Sequence, residues 1–360
     1  MRLSALLRRR HCPAFLARRL APALVLIVAA AGCGADPLTV QVIGSRLADR
    51  DGKPIRLLGL NRSSAEYACL RGQEVFEGPT DRRAIAAMTA WRINTVRIPL
   101  NEHCWLGING TPARTSGEPY RSAVTAYVTR LQKAGLRVVL DLHWNGAGTQ
   151  QATGQRPMAD LDHAPAFWSS VAETFKAHPG VLFDLYNEPH DISWQCWRDG
   201  CLLPDGWRTA GMQTLVNAVR SAGARQPIIL TGNARGSDLS SWMKYRPRDP
   251  ESQLIAGFHV YDFSHCSQRE CWKTLQPVAR RVPVVTSEFG QRACGETFLD
   301  RFMTWADSVG ISYLGWAWNP SGCAAPALID NWAGRPTPSG KGFRAHLARI
   351  KAARVKAPAR

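Results

Sequence analysis

The sequence predicts an α/β protein of one domain, a (β/α)8 TIM barrel with a short N-terminal β-hairpin, and three observations carry that prediction. Short apolar runs recur along the chain, and segments of helical periodicity lie between them. This alternation is the pattern of a parallel sheet with crossover helices, and eight runs is the number that closes such a sheet into a barrel. Polar residues collect at the carboxyl ends of the runs, the face on which these barrels build their sites.

Each element follows in order. The hairpin is VQVIGSRLADRDGKPIRL, residues 40–57, turned at Asp51 and Gly52. The eight strands are IRLLGLN (55–61), INTVRIPL (93–100), RVVLDLHW (137–144), VLFDLYNE (181–188), PIILTGN (227–233), LIAGFHVY (254–261), VPVVTSE (282–288) and ISYLGWAW (311–318). Amphipathic segments such as 122–135, 164–178 and 298–310 lie between them and end near Gly or Pro, as helices do. No internal repeat or low-complexity linker interrupts residues 35–347, which are expected to form one catalytic domain.

Two glutamates stand at the ends of such runs, Glu188 in VLFDLYNEPH and Glu288 in VPVVTSEFG. Paired carboxylates on one barrel face are the means by which glycosidic bonds are cleaved. Other strand ends offer Arg97, His143, Trp144, Asn187, His259, Tyr261, Trp316 and Trp318. Singly, each has a structural reading, as a core ion pair, a satisfied histidine or a volume-filling ring. Together, on one end of consecutive elements, they point to function, because packing alone has no such bias.

Residues 1–34 read as an export signal: six arginines precede the apolar run APALVLIVAAAG, with no acidic residue. That run is shorter than the roughly 20 residues a membrane-spanning helix needs. Ala30, Ala31 and Gly32 lead into Cys33, which resembles the lipidation site of a bacterial lipoprotein signal, so the protein is expected to be either secreted or lipid-anchored at the cell envelope. The formal charge of +17 falls to +17 − 6 − 6 = +5 once the six leader arginines and six basic residues from Arg344 to Arg360 are set aside. Charge at the chain ends does not make a nucleic-acid groove, and residues 348–360 read as a basic tail.

Outside the leader eight cysteines remain: Cys69, Cys104, Cys196, Cys201, Cys266, Cys271, Cys294 and Cys323. An even number in an exported chain reads as disulfides, and without a CxxC pair no metal site is expected.

The ordered set Arg97, His143, Asn187 and Glu188 in NEP, His259 and Tyr261 in HVY, Glu288 in SEFG, and Trp316 resembles glycoside hydrolase family five. That is the cellulase family of retaining (β/α)8 enzymes, and the bacterial endoglucanases within it are most similar. The resemblance spans residues 38 to about 347. It implies Glu188 as general acid and then base, and Glu288 as nucleophile with Arg97 and Tyr261 as its donors. It further implies Asn187 on the sugar 2-hydroxyl, His143 and His259 as orienting groups, and Trp316 or Trp318 as a sugar platform.

All eight cysteines fall in loops after strands. Short loop closure favours 196 with 201 and 266 with 271, and neighbouring strands favour 69 with 104 and 294 with 323. Trp105, Trp194, Trp197, Trp272 and Trp332 lie in the same loop regions, either as further sugar subsites or as loop packing. The expected activity is a cofactor-free, monomeric endo-β-1,4-glucanase acting on β-linked polysaccharide. The alternatives are the same mechanism on β-mannan, another β-glucan or a glycoconjugate, and, in another class, a surface-anchored glycan-binding barrel.

Overall fold

A computed structural model describes residues 38–356, with side chains as far as residue 350. The leader with Cys33 and the last four residues lie outside the described residues. The N-terminal segment contains the expected hairpin and adds one strand to it. It forms a three-stranded antiparallel sheet, β1 (Gln41–Ile43), β2 (Arg46–Ala48) and β3 (Pro54–Ile55). Asp51 and Gly52 do turn the chain, between β2 and β3, where Asp49 Oδ1 accepts from the Asp51 and Lys53 amides at 3.1 and 2.9 Å. A second turn at Gly44, whose φ of 60° suits glycine, folds β1 onto β2.

Eight parallel strands then close a barrel: β4 (Leu58–Asn61), β5 (Thr95–Asn101), β6 (Arg137–Trp144), β7 (Val181–Asp184), β8 (Ile228–Thr231), β9 (Leu254–Tyr261), β10 (Val284–Gly290) and β11 (Ser312–Gly315). Every strand is buried along almost its whole length, which explains why the runs read as continuously apolar rather than alternating. Helices pack outside through single apolar faces. Helix Glu118–Lys133 buries Tyr120, Val124, Tyr127, Val128 and Leu131, the three- and four-residue spacing of one helical stripe. Helix Ala164–Phe175 buries Phe167, Trp168, Val171 and Phe175, each such side chain stabilising the fold by about 1.5–3 kcal/mol. Helix Pro338–Lys356 closes the described chain and runs through residue 347 without interruption. No helix among the described residues is long and apolar enough to cross a membrane.

The barrel interior is layered by the two-residue period of its strands. Leu57, Val139, Leu182, Ile229, Ile255, Val285 and Leu314 form an apolar cluster inside it, which Val40 and Leu47 of the N-terminal segment join. Two residues further along β6, β7 and β8 come Asp141, Asp184 and Thr231, all fully buried. A polar layer therefore sits directly on the apolar one, and the site is built upon it.

On the loops beyond the strands, the cysteines pair as 69–104, 196–201, 266–271 and 294–323, the pairs that loop closure and strand order favour. The first ties the loop after β4 to that after β5, and the last ties the loop after β10 to that after β11. These crosslinks restrict loops that backbone pairing alone leaves long.

Candidate active site

Arg97, fully buried on β5, is the hub of the polar layer. Its Nε donates to Asp184 Oδ2 at 2.9 Å, Nη2 to Asn187 Oδ1 at 2.9 Å, and Nη1 to Asn61 Oδ1 at 3.0 Å and Glu288 Oε1 at 2.7 Å. Asp141 Oδ1 lies 3.0 Å from Nη2. Burial works against the guanidinium charge, but Asp141, Asp184 and Glu288 outweigh it and raise the pKa, so Arg97 is a permanent cation. Burial raises the carboxyls of Asp141 and Asp184 above the usual range, and Arg97 opposes that shift. Removing one member of so dry a network typically costs about 3–5 kcal/mol, because the remaining charge is left unpaired.

Glu288 reaches this hub through an irregularity in its strand. Inward-facing Val285 on β10 predicts 287 and 289 as the next inward positions, yet the register against β9 shifts between Thr286 and Glu288. Such a bulge re-aims one side chain. Ser287 and Glu288 both face the site, with Ser287 Oγ 3.0 Å from His259 Nε2, while Phe289 joins the outer core. Glu288 accepts from Arg97 and, at Oε2, from the Tyr261 hydroxyl at 2.6 Å. Burial, followed by the charge of Glu288, holds the Tyr261 pKa well above its ordinary value, so the phenol stays a donor.

Glu188 has a different environment. It follows the end of β7 by four residues and has no arginine in hydrogen-bond contact. His259 Nδ1 lies 3.1 Å from Oε1, and Gln155 donates to Oε2 at 3.2 Å. Burial raises its pKa, with His143, Gln155, Arg235 and Arg97 opposing. The two carboxyls nevertheless face each other: ligand atoms of Glu188, His259 and Glu288 all lie within 4.8 Å of one another. Burial lowers His259 to about 3 and His143 to about 4, so both rings are neutral near pH 7.

His143 stands on Asp141, with Nδ1 2.7 Å from Oδ2, and stacks on Trp316 at 5.5 Å and 15°. Asn187 directs its amide nitrogen at Gln155 Oε1, 3.3 Å away, and its oxygen at Arg97. Eight of the ten strand-end candidates meet at one locus: seven line a cavity of about 760 Å³, and Arg97 lies beneath it. Two do not line it. Trp318 is fully buried against Trp91, ring centroids 5.0 Å apart, and is a core residue rather than a sugar platform. Trp144 turns to Tyr67, 6.2 Å away, at the side of the site. Of the loop tryptophans, Trp105, Trp197 and Trp272 are fully buried, Trp194 packs on Trp197, and Trp332 lies under the Arg62 guanidinium. All five pack their loops.

Several contributors escape a reading from strand ends. Asp141 and Asp184 carry a signal, a charge inside an apolar run, which a buried strand tolerates only when it is paired. Gln155, Arg235, Phe263 and Arg292 line the cavity from loops, where periodicity carries no information. Among the described residues two clusters could offer three ligand atoms to a metal, Glu188 with His259 and Glu288, and Asp160 with Asp162 and His163. Both already receive hydrogen bonds from protein donors, Asp160 from Asn145 and the His163 amide, and Glu288 from Arg97 and Tyr261.

The chain is 24% identical over 293 residues to a mannan endo-1,4-beta-mannosidase of Streptomyces lividans, a match covering 79% of this chain and 67% of that protein. It is 23% identical to endoglucanase E-5 of Thermobifida fusca over 78% of this chain, which is just over half, 55%, of that relative's length. Among solved structures, a beta-glucanase from Saccharophagus degradans superposes with a TM-score of 0.68 at 17% identity, covering 87% of this chain and 94% of the other. The catalytic domain of Thermobifida fusca endoglucanase Cel5A in complex with cellotetraose gives 0.61 at 18% identity, covering 86% and 97%. These likenesses establish the shared fold. The sequence pattern of the cellulase family, glycosyl hydrolase family 5, matches residues 48–322, most of the chain, and the protein belongs to that family.

Proposed function

We propose that this protein is an exported endo-β-1,4-glucanase that cleaves its substrate with retention, Glu288 acting as nucleophile and Glu188 as acid and then base. The observation that carries the reading is the inequality of the two facing carboxyls. Glu288 accepts from a permanent cation and a phenol, donors that favour its anion and aim it. Glu188 is only partly buried, its side chain 16% exposed, and lacks such donors, and its raised pKa favours the protonated form a general acid needs. An oxygen of each carboxyl lies within 4.8 Å of one of the other, a close approach that favours the narrow carboxyl spacing of retaining enzymes, roughly 5–5.5 Å, over the roughly 6.5–9.5 Å of inverting ones.

In the first step Glu288 Oε attacks the anomeric carbon and the bond to the departing oxygen breaks. Glu188 gives that oxygen its proton and becomes a carboxylate. Asn187, fixed by Arg97, hydrogen-bonds the sugar 2-hydroxyl, an interaction that strengthens as the ring becomes oxocarbenium-like. Trp316, backed by His143, supplies a flat face for the sugar bound over Glu288. In the second step Glu188 takes a proton from water, the oxygen attacks the same carbon from the opposite face, and Glu288 leaves as its anion. Neutral His259, with Nδ1 3.1 Å from Glu188 and 3.7 Å from Glu288, stands beside both carboxyls without adding charge.

β-1,4-Mannan is the second reading, favoured by the mannosidase relative, which is as similar as the endoglucanase. Export is supported by the arginine-rich leader and four disulfides, which persist in oxidising compartments, and a lipid anchor at Cys33 is the membrane-bound form of the same proposal. Incubation with unsubstituted β-1,4-glucan, mannan and xylan, followed by sizing of products, tests the reading. Rapid shortening of glucan is expected, whereas cleavage of mannan alone or release of single sugars would overturn it.

A further inference from the structure

Around the cavity mouth the electrostatics are one-sided. Among the described residues the only carboxylates lining the cavity are Glu188 and Glu288, while Arg235 and Arg292, both exposed, also line it. Among the described residues Arg235 has one ion pair, a long one of 3.7 Å to Glu188. Arg292 forms no ion pair among the described residues: the neighbouring Asp262 accepts from the Arg292 and Ala293 backbone amides at 3.0 and 3.3 Å instead. That arrangement fixes the loop and lays the guanidinium 4.0 Å over the ring of Phe263, which stacks on Tyr261. Phe263, 50% exposed, supports the arginine, and Tyr261 in turn touches Glu288.

Arg235 is held with equal care. Ala234, Arg235 and Gly236 have φ of 51°, 57° and 75°, and two of these are non-glycine residues in a region that costs energy to occupy. The Arg235 amide donates to Pro189 O at 2.9 Å and Gly236 O accepts from the His259 amide at 2.9 Å, so the catalytic loops themselves impose this conformation. A Cβ at position 236 would meet the His259 ring at 2.8 Å, so glycine is required there. The result brings the Arg235 Nη1 to 3.7 Å from Glu188 Oε2 with the side chain still 58% exposed. An acid gives its proton to the departing oxygen, so Arg235 borders the sugars that leave.

We propose that the mouth of this cleft recognises an acidic β-glycan, one whose sugars on the leaving side carry carboxylates. The inference rests on the glycosidase reading and names its substrate class. A guanidinium presents paired donors that match a carboxylate, and two exposed ones flanking a cavity, Arg292 without an ion pair and Arg235 with only a long one, attract such groups over a range that salt shortens. Neutral sugars would meet the same arginines through hydroxyls alone, with no charge to compensate.

The test compares carboxymethylated with hydroxyethylated β-1,4-glucan of matched length and substitution, alongside the unsubstituted polymer. Wild-type protein is expected to show a kcat/KM about 3- to 10-fold higher on the carboxymethylated form at low salt, shrinking toward unity near 0.5 M NaCl. The preference should fall in Arg292→Gln, persist in Arg292→Lys, and vanish in the Arg235→Gln/Arg292→Gln pair. Equal or poorer use of the carboxymethylated form, a preference indifferent to salt, or one that survives the double substitution overturns the proposal while cleavage of the neutral polymer leaves the glycosidase reading standing. Failure to cleave any of the three overturns both.

Discussion

Tyr261→Phe removes one oxygen from the site and little else. The ring keeps its stacking on Phe263, whereas Glu288 loses the 2.6 Å donor at Oε2, where only His259 Nδ1 remains, at 3.7 Å. A hydrogen bond to a charged group contributes about 1.5–3 kcal/mol. Because Glu288 is 4% exposed at its side chain, water has little access to replace the donor, and the full amount is expected to appear. At about 1.4 kcal/mol per factor of ten, kcat/KM on an aryl β-cellobioside should fall roughly 10- to 150-fold. Thermal unfolding run in parallel should show a midpoint within a few degrees of wild type, about the change expected for 1 kcal/mol or less. A loss of kcat/KM smaller than about threefold in a folded variant would refute the reasoning, since that corresponds to less than an ordinary neutral hydrogen bond. So would a large fall in the unfolding midpoint, which would make the hydroxyl a structural rather than an aiming group.

Four further outcomes follow from the same geometry. Glu188→Ala should lower cleavage of unactivated oligosaccharides by about 10²- to 10⁴-fold and leave glycosylation by aryl glycosides with acidic phenol leaving groups much less affected, a contrast that stopped-flow measurement of phenol release reads directly. Because burial raises the folded pKa of Glu188, wild-type kcat/KM on unactivated substrate should decline as pH rises through a value above the ordinary carboxylate range, and that limb should be absent from the alanine variant. Asp184→Asn weakens the contact that orients Arg97 and should lower stability by up to about 3 kcal/mol and kcat/KM together, as denaturant melts and kinetics will show; unchanged values in both would remove Asp184 from the positioning network. Replacing Cys69 and Cys104 by alanine opens a separation of 35 residues, worth about 4 kcal/mol by loop entropy, and an unfolding midpoint equal to wild type would exclude that role.

The barrel was legible because all eight strands are buried on both sides and therefore read as uninterrupted apolar runs. Their ends were less so. The run ending at Glu188 is hydrogen-bonded as a strand only to Asp184, and the last strand stops at Gly315, three residues short of its apolar run. Beyond Gly315 the two-residue period no longer applies, so Trp316 and Trp318 looked equivalent in sequence although one lines the cavity and the other fills the core. Glu288 was found by its place at a strand end, yet strict alternation would have put Ser287 and Phe289 inward; the bulge that corrects this leaves no composition signal. In the N-terminal segment the strong Asp51-Gly52 turn masked the weaker one at Gly44, because strands of two or three residues carry almost no alternation. Asp141 and Asp184 could have been found as charges in apolar surroundings. Arg235, Phe263 and Arg292 could not, because their placement depends on how three separate loops converge.

The most direct test of the account's central claim is to trap the covalent intermediate. A 2-deoxy-2-fluoro-β-cellobioside with an activated leaving group slows the second step more than the first, so labelled protein accumulates if a glycosyl-enzyme forms. Mass spectrometry of a proteolytic digest is predicted to find one glycosyl group, on the peptide containing Glu288 and on that side chain. No covalent adduct despite turnover of the parent substrate, or a label on Glu188, would contradict the assignment.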